Sequence, residues 1–140
     1  KPYYDVILGN DLCIYPSYYE PWGYTPLEAV AFKVPCITTD LAGFGLWANK
    51  EKPGCGYSKI EDGVEVVHRT DSNYNDVADN IRDVVIRFAA KDTKAVESCR
   101  HNAEALSKKA LWSEFFRYYE EAYDFALRKA EKRMADRKNG

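Results

Sequence analysis

The stretch "DLCIYPSYYEPWGYTPLEAVAFKVPCITTD" (residues 11–40) decides the fold. It opens with a short apolar run that a proline ends, residues 11–17, and closes with a second apolar run, residues 34–40. Both runs are typical of buried strands. Between them lies a helical pattern over 25–33, and the spacing suits the crossover of about a dozen residues that joins parallel strands. The stretch therefore predicts a strand–helix–strand unit of a parallel sheet.

The start of this helix carries a signal of its own. Thr25 is a favourable N-cap residue, and Pro26 suits the first helical position. Glu28 stands where the acid of a capping box would bond back to the cap. We therefore expect a helix that Thr25 and Glu28 cap together.

The rest of the chain continues the α/β pattern. Residues 46–63 are rich in charge, glycine and proline and are predicted to form a surface loop. Residues 64–68 are a short β-branched run typical of a strand, and residues 74–134 are predicted to be helical. Only later strands and helices are visible, without an opening phosphate-binding turn. The fold class is α/β, and the chain looks like the back half of a Rossmann-like domain.

The helical region divides into three amphipathic segments. The first is expected to bury one face, which carries Val77, Ile81, Val84, Val85 and Phe88. The second is expected to be capped by Asp92 or Thr93. In the last, apolar residues recur at helical spacing, which favours core packing over a cofactor site and also indicates a large partner surface. This stripe consists of Trp112, Phe115, Phe116, Tyr119, Tyr123, Ala126, Leu127, Ala130 and Met134.

Composition excludes several classes of function. The chain has 140 residues, of which 46% are hydrophobic and 30% charged, with a net charge of −2. That charge gives no electrostatic footprint for nucleic acid or an anionic membrane, and no apolar run is long enough to span a bilayer. There are two histidines, and the four cysteines form no C-x-x-C pair. We therefore expect a reduced, cytoplasmic protein with neither a metal nor another cofactor.

The residues before the first helix point to a ligand. A helix N-terminus that follows a parallel strand opens into the crevice where such folds bind ligands, and it suits a phosphate. Gly23 lets the backbone approach the ligand closely. Thr25 is placed to bind a phosphate oxygen, and Glu20 and Glu28 are placed to accept hydrogen bonds from hydroxyl groups on either side. A sugar nucleotide has this chemistry.

Each of these residues also has a structural interpretation. Glu28 is explained by capping, Glu20 by a surface turn, Gly23 by a turn, and Trp22 and Tyr24 by packing. Taken singly, each structural interpretation is the better one. Together they do not explain why all five features fall within nine residues.

The segment "YPSYYEPWGYTPLEAVAFKVPCITTDLAGFG" (residues 15–45) resembles the signature of glycogen (starch) synthases of the animal and fungal type. These are retaining glycosyltransferases of the GT-B fold. The family places two glutamates with seven residues between them, as Glu20 and Glu28 stand here. A weaker likeness to the closing helices of the family continues over residues 103–130. The resemblance implies the carboxyl-terminal, donor-binding part of such an enzyme over residues 1–140.

The resemblance also implies roles for single residues. Glu20 would contact the transferred glucose and Glu28 would hold the ribose, the two residues assigned to the catalytic centre. The N–H groups of Trp22 and Gly23 would bind glucose hydroxyls. The further donor contacts would be Tyr24 and Thr25 on the diphosphate, Tyr3 stacked on the uracil ring with a slip to Tyr4 possible, and Gly43, Phe44 and Gly45 in the wall near the donor.

Parts of the family pattern lie outside this chain. An arginine and a lysine that neutralise the diphosphate, and an amino-terminal domain with a histidine and the acceptor surface, precede this segment in the family. We therefore expect a fragment that is inactive alone, with the amino-terminal domain, a nucleoside diphosphate glucose and a glucan as partners. The base, UDP or ADP, stays open. A homo-oligomer through the aromatic terminal helix is also possible.

A second departure concerns regulation. The eukaryotic enzymes carry an arginine cluster that binds glucose-6-phosphate. Here only Arg100 stands in the matching stretch, beside His101, with Asn102 and Ala105 in place of arginines. One guanidinium does not form a multidentate phosphate clamp. We therefore expect a bacterial-type enzyme without this activation.

Three other interpretations stay open at this point. In the first, the chain belongs to another retaining GT-B enzyme, such as a relative of sucrose or trehalose-phosphate synthases. It is a non-catalytic module that binds a sugar nucleotide or a glucan through Trp22, Tyr18 and Tyr19. Or it is a purely structural domain in which residues 25–28 only cap a helix.

Overall fold

The computed structural model describes residues 2–138 of the chain. The elements follow in the order α1 (Tyr3–Ile7), β1 (Cys13–Ile14), α2 (Tyr24–Ala31), β2 (Cys36–Thr39), α3 (Gly43–Glu51), a 3₁₀ turn (Ile60–Asp62), β3 (Val64–Val67), α4 (Tyr74–Ala89), α5 (Thr93–Lys108) and α6 (Trp112–Lys138). Within these residues, no helix combines the length and the apolar character needed to cross a membrane.

The three strands form one parallel sheet in the order β1-β2-β3. Cys13 pairs with Cys36, and Cys36 pairs with Val64 on the other side. The α/β class and the crossover through α2 are therefore confirmed, although β1 is only two residues long. Every residue of β2 and β3 is buried, as expected where both faces of a parallel sheet are covered.

Two apolar clusters form the core of the first unit of the chain, which ends at Lys108. One cluster joins α2, α3 and α5 to the sheet and includes Val30, Phe44 and Ala103. The other joins the sheet to α4 and α5 and includes Ile37 and Phe88. The predicted apolar face of α4 is confirmed, since Val77, Val84 and Phe88 are buried while Ile81 and Val85 pack against the cluster.

The predicted surface loop over 46–63 is too long. Residues 46–51 belong to α3, whose inner face buries Phe44, Gly45 and Ala48. The proline and glycines that suggested a loop come after the helix, within residues 53–56, and the 3₁₀ turn at 60–62 interrupts the loop again. The helix starts two residues after Leu41, close to the carboxyl end of β2, and so reaches the edge of the sheet where ligands bind in such folds.

The predicted capping box of α2 is wrong. The helix begins one residue earlier, at Tyr24, and its N-cap is Gly23, which has φ 103° and offers no side chain to bond. Glu28 bonds elsewhere, since its Oε1 accepts a hydrogen bond from the Tyr4 hydroxyl at 3.3 Å. In α5, by contrast, the predicted cap is confirmed, because Asp92 Oδ1 accepts from the Ala95 N–H at 2.8 Å.

The second unit begins at Lys109 and contains α6. Its aromatic residues contact one another along the helix, with ring centroids 5.3 Å apart for Trp112 and Tyr119 and 6.4 Å apart for Phe116 and Tyr119. The stripe was predicted to pack in a core and to offer a large partner surface, and most of its described side chains are exposed. Its exposed members are Trp112, Phe116, Tyr119, Tyr123, Ala126, Leu127 and Met134.

Lys33→Gly is expected to stabilise the protein by about 0.5–1 kcal/mol. Lys33 follows α2 with φ 63°, a left-handed conformation that costs a side chain about 1 kcal/mol and glycine nothing. The Val34 N–H donates to the Ala29 carbonyl at 2.9 Å, which closes the turn that usually places glycine here. Urea unfolding measures the gain. Lys33→Ala is the control, since it loses the 3.1 Å surface ion pair with Glu104 without gaining conformational freedom, and equal stabilities of the two variants would contradict the prediction.

Candidate functional site

The segment between β1 and α2, residues 16–23, lies at the carboxyl edge of the sheet, and we call it the signature loop. Its far half is joined to the start of α3 by backbone hydrogen bonds. The Glu20 N–H donates to the Leu41 carbonyl at 3.3 Å, and the Glu20 carbonyl accepts from the Gly43 N–H at 3.0 Å. The Trp22 carbonyl accepts from the Phe44 N–H at 2.6 Å. The backbone of Glu20 is therefore fixed on both sides.

Glycines make this close approach possible. A Cβ on Gly43 would lie 2.2 Å from the Pro21 carbonyl oxygen, and one on Gly45 would lie 2.1 Å from the Thr39 carbonyl oxygen. Phe44 between them is fully buried, with its ring 6.2 Å from Trp22 and 5.6 Å from Trp47. Phe44 and Trp47 therefore support the signature loop from the interior, through the Trp22 ring.

The first turn of α2 faces outward. Tyr24 and Thr25 are exposed, whereas Gly23 is buried and Trp22 is half-buried against Phe44. No side chain caps the helix, and the first N–H groups of a helix have no partner within it. The helix dipole adds a partial positive charge at the same place. This end of α2 therefore has the character of an anion site next to the signature loop.

Glu28 lies beside the two tyrosines of α1. The Tyr4 hydroxyl donates to its carboxylate, and the Tyr3 and Tyr4 rings lie with centroids 5.3 Å apart. Partial burial and the nearby Glu28 carboxylate raise the pKa of Tyr3. The structure thus brings Tyr3, Tyr4 and Glu28 together beside α2, while Glu20 lies in the signature loop that precedes the helix.

The structure contains a second group of polar residues that the sequence analysis did not predict. It consists of Asp40, Tyr57, His68 and Arg69, and we call it the Asp40 cluster. Asp40 follows β2 and His68 follows β3, so the parallel register places both at the carboxyl edge. His68 Nδ1 lies 2.6 Å from Asp40 Oδ2, and the Tyr57 hydroxyl donates to the same oxygen at 2.8 Å. The position of a polar residue after each strand was the signal available in the sequence.

Asp40→Asn is expected to flatten the acid side of the stability–pH curve. Burial opposes ionisation of Asp40, but hydrogen bonds from His68, the Arg69 N–H and Tyr57 outweigh it and lower the pKa of Asp40. A carboxyl whose pKa is lowered in the folded state stabilises it above the ordinary aspartate pKa of 3.8, and this contribution disappears as the pH falls through the lowered pKa. Urea unfolding at a series of pH values measures the effect. Asp124→Asn, at an exposed position, is the control. Identical stability–pH curves for Asp40→Asn and wild type would exclude this role.

A cavity of about 670 Å³ lies at the opposite, amino-terminal end of the strands. Lys33, Arg100, His101 and Glu104 are among its lining residues. Arg100 is already paired, since its guanidinium donates to the Asp11 carboxylate at 2.7 Å. Across residues 2–138, no group of three or more His, Cys, Asp and Glu side chains is placed to hold a metal ion.

The fold and the signature loop define an α/β domain of the class that binds ligands at the carboxyl ends of parallel strands. Residues 2–139 match the family model described as glycogen synthase. The chain belongs to the glycogen synthase family, whose members are glycosyltransferases.

Three curated relatives show the extent of the likeness. Over 128 residues the chain is 32% identical to glycogen [starch] synthase of Neurospora crassa, 31% to isoform 1 of Saccharomyces cerevisiae and 30% to the liver protein of Homo sapiens. Each match covers 91% of this chain and 18% of the relative. These relatives are eukaryotic, so the expected bacterial type has no support from them.

Proposed function

We propose that this chain forms the donor-binding edge of a retaining glucosyltransferase. The enzyme would transfer glucose from a nucleoside diphosphate glucose to the non-reducing end of an α-1,4-glucan. The observation that carries the proposal is the start of α2. This helix end lacks a side-chain cap, is exposed at Tyr24 and Thr25, and is flanked by Glu20 and Glu28.

The diphosphate would lie against the first turn of α2. The free N–H of Thr25 and its hydroxyl are donors there, with the Tyr24 hydroxyl beside them. Charge develops on the diphosphate oxygens as the bond to glucose breaks. Donors fixed in advance, together with the helix dipole, stabilise that charge more than the charge of the ground state.

The two glutamates would orient the donor on either side of the diphosphate. Glu20 would accept from hydroxyls of the transferred glucose, next to the N–H groups of Trp22 and Gly23. Glu28 would accept from the ribose hydroxyls, and the Tyr4 hydroxyl that bonds to it fixes its carboxylate. The Tyr3 ring, which is half exposed beside Tyr4, would stack on the base.

The whole reaction needs more than this chain. The chain spans 18% of the length of the relatives described above. We propose that the acceptor surface and the cations that neutralise the diphosphate belong to the rest of the enzyme. The isolated chain would therefore bind a donor weakly and transfer no glucose. Measurable elongation of glycogen by the isolated 140-residue chain would contradict this.

Hydrogen exchange of the chain with UDP, UDP-glucose, ADP-glucose and maltoheptaose tests the donor site. The nucleotides are expected to slow exchange within residues 20–28, and Thr25→Val is expected to weaken UDP binding about tenfold. Thr93→Val is the matched control, because Thr93 begins another helix that Asp92 caps. A difference between the UDP and ADP donors identifies the base. Absence of protection by every nucleotide, in the chain and in the full-length enzyme, would exclude the donor site.

A second candidate is a glucan-binding module. Tyr18 and Tyr19 of the signature loop are 53% and 79% exposed, and exposed rings offer surfaces on which sugars stack. Protection of these residues by maltoheptaose, together with no effect of any nucleotide, would favour this function over the transferase.

We also propose that the enzyme does not respond to glucose-6-phosphate. Arg100 is paired with Asp11, and its other hydrogen bonds go to the carbonyls of Lys33 and Asn10. This arrangement offers no multidentate clamp on α5. Activation of the full-length enzyme by glucose-6-phosphate would contradict the proposal.

A further inference from the structure

We propose that Arg69 is a positioning residue that holds the signature loop in place for glucose transfer, an inference that rests on the proposed function. Arg69 lies two residues after β3, and its described contacts are with Pro16, Tyr18 and Asp40. It acts on the loop residues that lead to Glu20. Its side chain and its backbone connect the ends of the three strands.

The contacts of Arg69 reach in two directions. Its guanidinium donates to the Pro16 carbonyl at 2.7 Å and lies over the Tyr18 ring, 5.1 Å from the ring centroid. Its backbone N–H donates to Asp40 Oδ1 at 2.8 Å. One residue thus connects the first part of the signature loop to the carboxylate that follows β2.

Neighbouring residues hold the same part of the loop. Thr39 Oγ1 donates to the Ser17 carbonyl at 2.6 Å, and the Tyr18 hydroxyl donates to the Asp71 carboxylate. Three consecutive residues, 16–18, are therefore each bonded to a side chain from the end of β2 or from the segment that follows β3. Glu20 follows after one further residue, and its own backbone is fixed by residues 41–43.

The Asp40 cluster in turn fixes Arg69. Only 12% of the Asp40 side chain is exposed, and its second oxygen is occupied by His68 and Tyr57. The Asn73 side chain donates to the His68 carbonyl at 3.0 Å, which restrains the backbone next to Arg69. Such a shell of supporting hydrogen bonds is what keeps a site within a fraction of an ångström of its working geometry.

Arginine suits this role for a physical reason. The guanidinium is planar, so it donates to a carbonyl in its own plane while its face or edge lies against an aromatic ring. Loss of both contacts would free residues 16–18 and let the carboxylate of Glu20 shift. A displacement of about 1 Å from the reacting geometry costs about 100-fold in rate. We therefore expect the effect in the transfer step rather than in the binding of the nucleotide.

The test uses the full-length enzyme and Arg69→Met, with Arg82→Met as the matched control. Arg82 is exposed and bonds only within α4 in its described contacts, to Asp79 and Asp83. Arg69→Met is expected to lower kcat about 10- to 100-fold, with the KM for the donor and the Kd for UDP changed by less than about threefold. Arg69→Lys is expected to recover part of kcat, because an ammonium group retains one donor and the charge.

Hydrogen exchange supplies a second readout in the same variants. Faster exchange of the amides of residues 17–20 in Arg69→Met than in Arg82→Met is expected. Wild-type kcat in Arg69→Met would overturn the inference, as would a loss of kcat that only follows the fraction of unfolded protein. A wild-type enzyme that neither binds UDP nor transfers glucose would instead refute the proposed function, and the positioning role would fall with it.

Discussion

Glu20→Gln is expected to lower kcat for glucose transfer by the full-length enzyme about 100-fold or more, because its carboxylate would contact the transferred glucose in the transition state. The fold should be almost unchanged. Glu20 contributes to the structure through its backbone, whose N–H and carbonyl bond to Leu41 and Gly43. Glutamine has the same size and retains one acceptor oxygen, but it loses the charge. If kcat and kcat/KM fall by the same factor, the lost interaction is one that is made only in the transition state.

Steady-state kinetics with UDP-glucose and glycogen, together with urea unfolding, measure both parts of this expectation. Glu97→Gln on α5 is the control, since Glu97 is exposed and lies at the other end of the sheet. Transfer within about threefold of wild type in Glu20→Gln would remove Glu20 from the catalytic centre. A large loss of stability would show instead that its side chain has a structural role.

Gly43→Ala is expected to destabilise the protein by about 3 kcal/mol and to impair glucose transfer as well. The added Cβ would lie 2.2 Å from the Pro21 carbonyl oxygen and 3.1 Å from the Trp22 Cα. Both are backbone atoms, so no side chain can move aside. The signature loop itself would have to shift, and the geometry around Glu20 would shift with it.

Gly9→Ala is the control for this substitution, because its Cβ would lie 3.5 Å from the nearest atom, the Val6 carbonyl oxygen. Thermal and urea unfolding compare the two variants, and the full-length enzyme reports the effect on transfer. Equal stability of Gly43→Ala and wild type would show that the loop moves freely. In that case the close approach of loop and helix would not fix the position of Glu20.

Periodicity and spacing predicted much of this fold. The two apolar runs on either side of a helical pattern required a parallel crossover, and the face of α4 followed from the spacing of Val77, Val84 and Phe88. The start of α2 could not be predicted in the same way. Thr25, Pro26 and Glu28 match a capping pattern, but Tyr4 competes for the Glu28 carboxylate and Gly23 takes the cap position.

Local sequence patterns could not predict features that depend on tertiary contacts. The glycines at 43 and 45 carry no helix signal, yet both lie in the first turn of α3, where the carbonyls of Pro21 and Thr39 leave no room for a Cβ. For the aromatic rings of α6, the local pattern was correct but the predicted burial did not follow from it. Their spacing marks an apolar face correctly, but it carries no information on whether this chain covers that face.

The Asp40 cluster could be predicted in part. Asp40 and His68 are far apart in sequence, but the pairing of Thr39 with Val67 brings the residues that follow them side by side. Parallel topology was predicted, so the juxtaposition followed from it once the register was known. Tyr57 was harder to find, because it comes from the irregular segment after α3.

The backbone bonds between the signature loop and α3 have a consequence for how substitutions are tolerated. These bonds join main-chain atoms of Glu20 and Trp22 to those of residues 41, 43 and 44, so the identities of the side chains at 21, 41 and 42 matter little to them. In a library of single variants, we expect position 41 to accept many residue types. Positions 43 and 45 should accept almost none, so that selection acts there on the absence of a side chain.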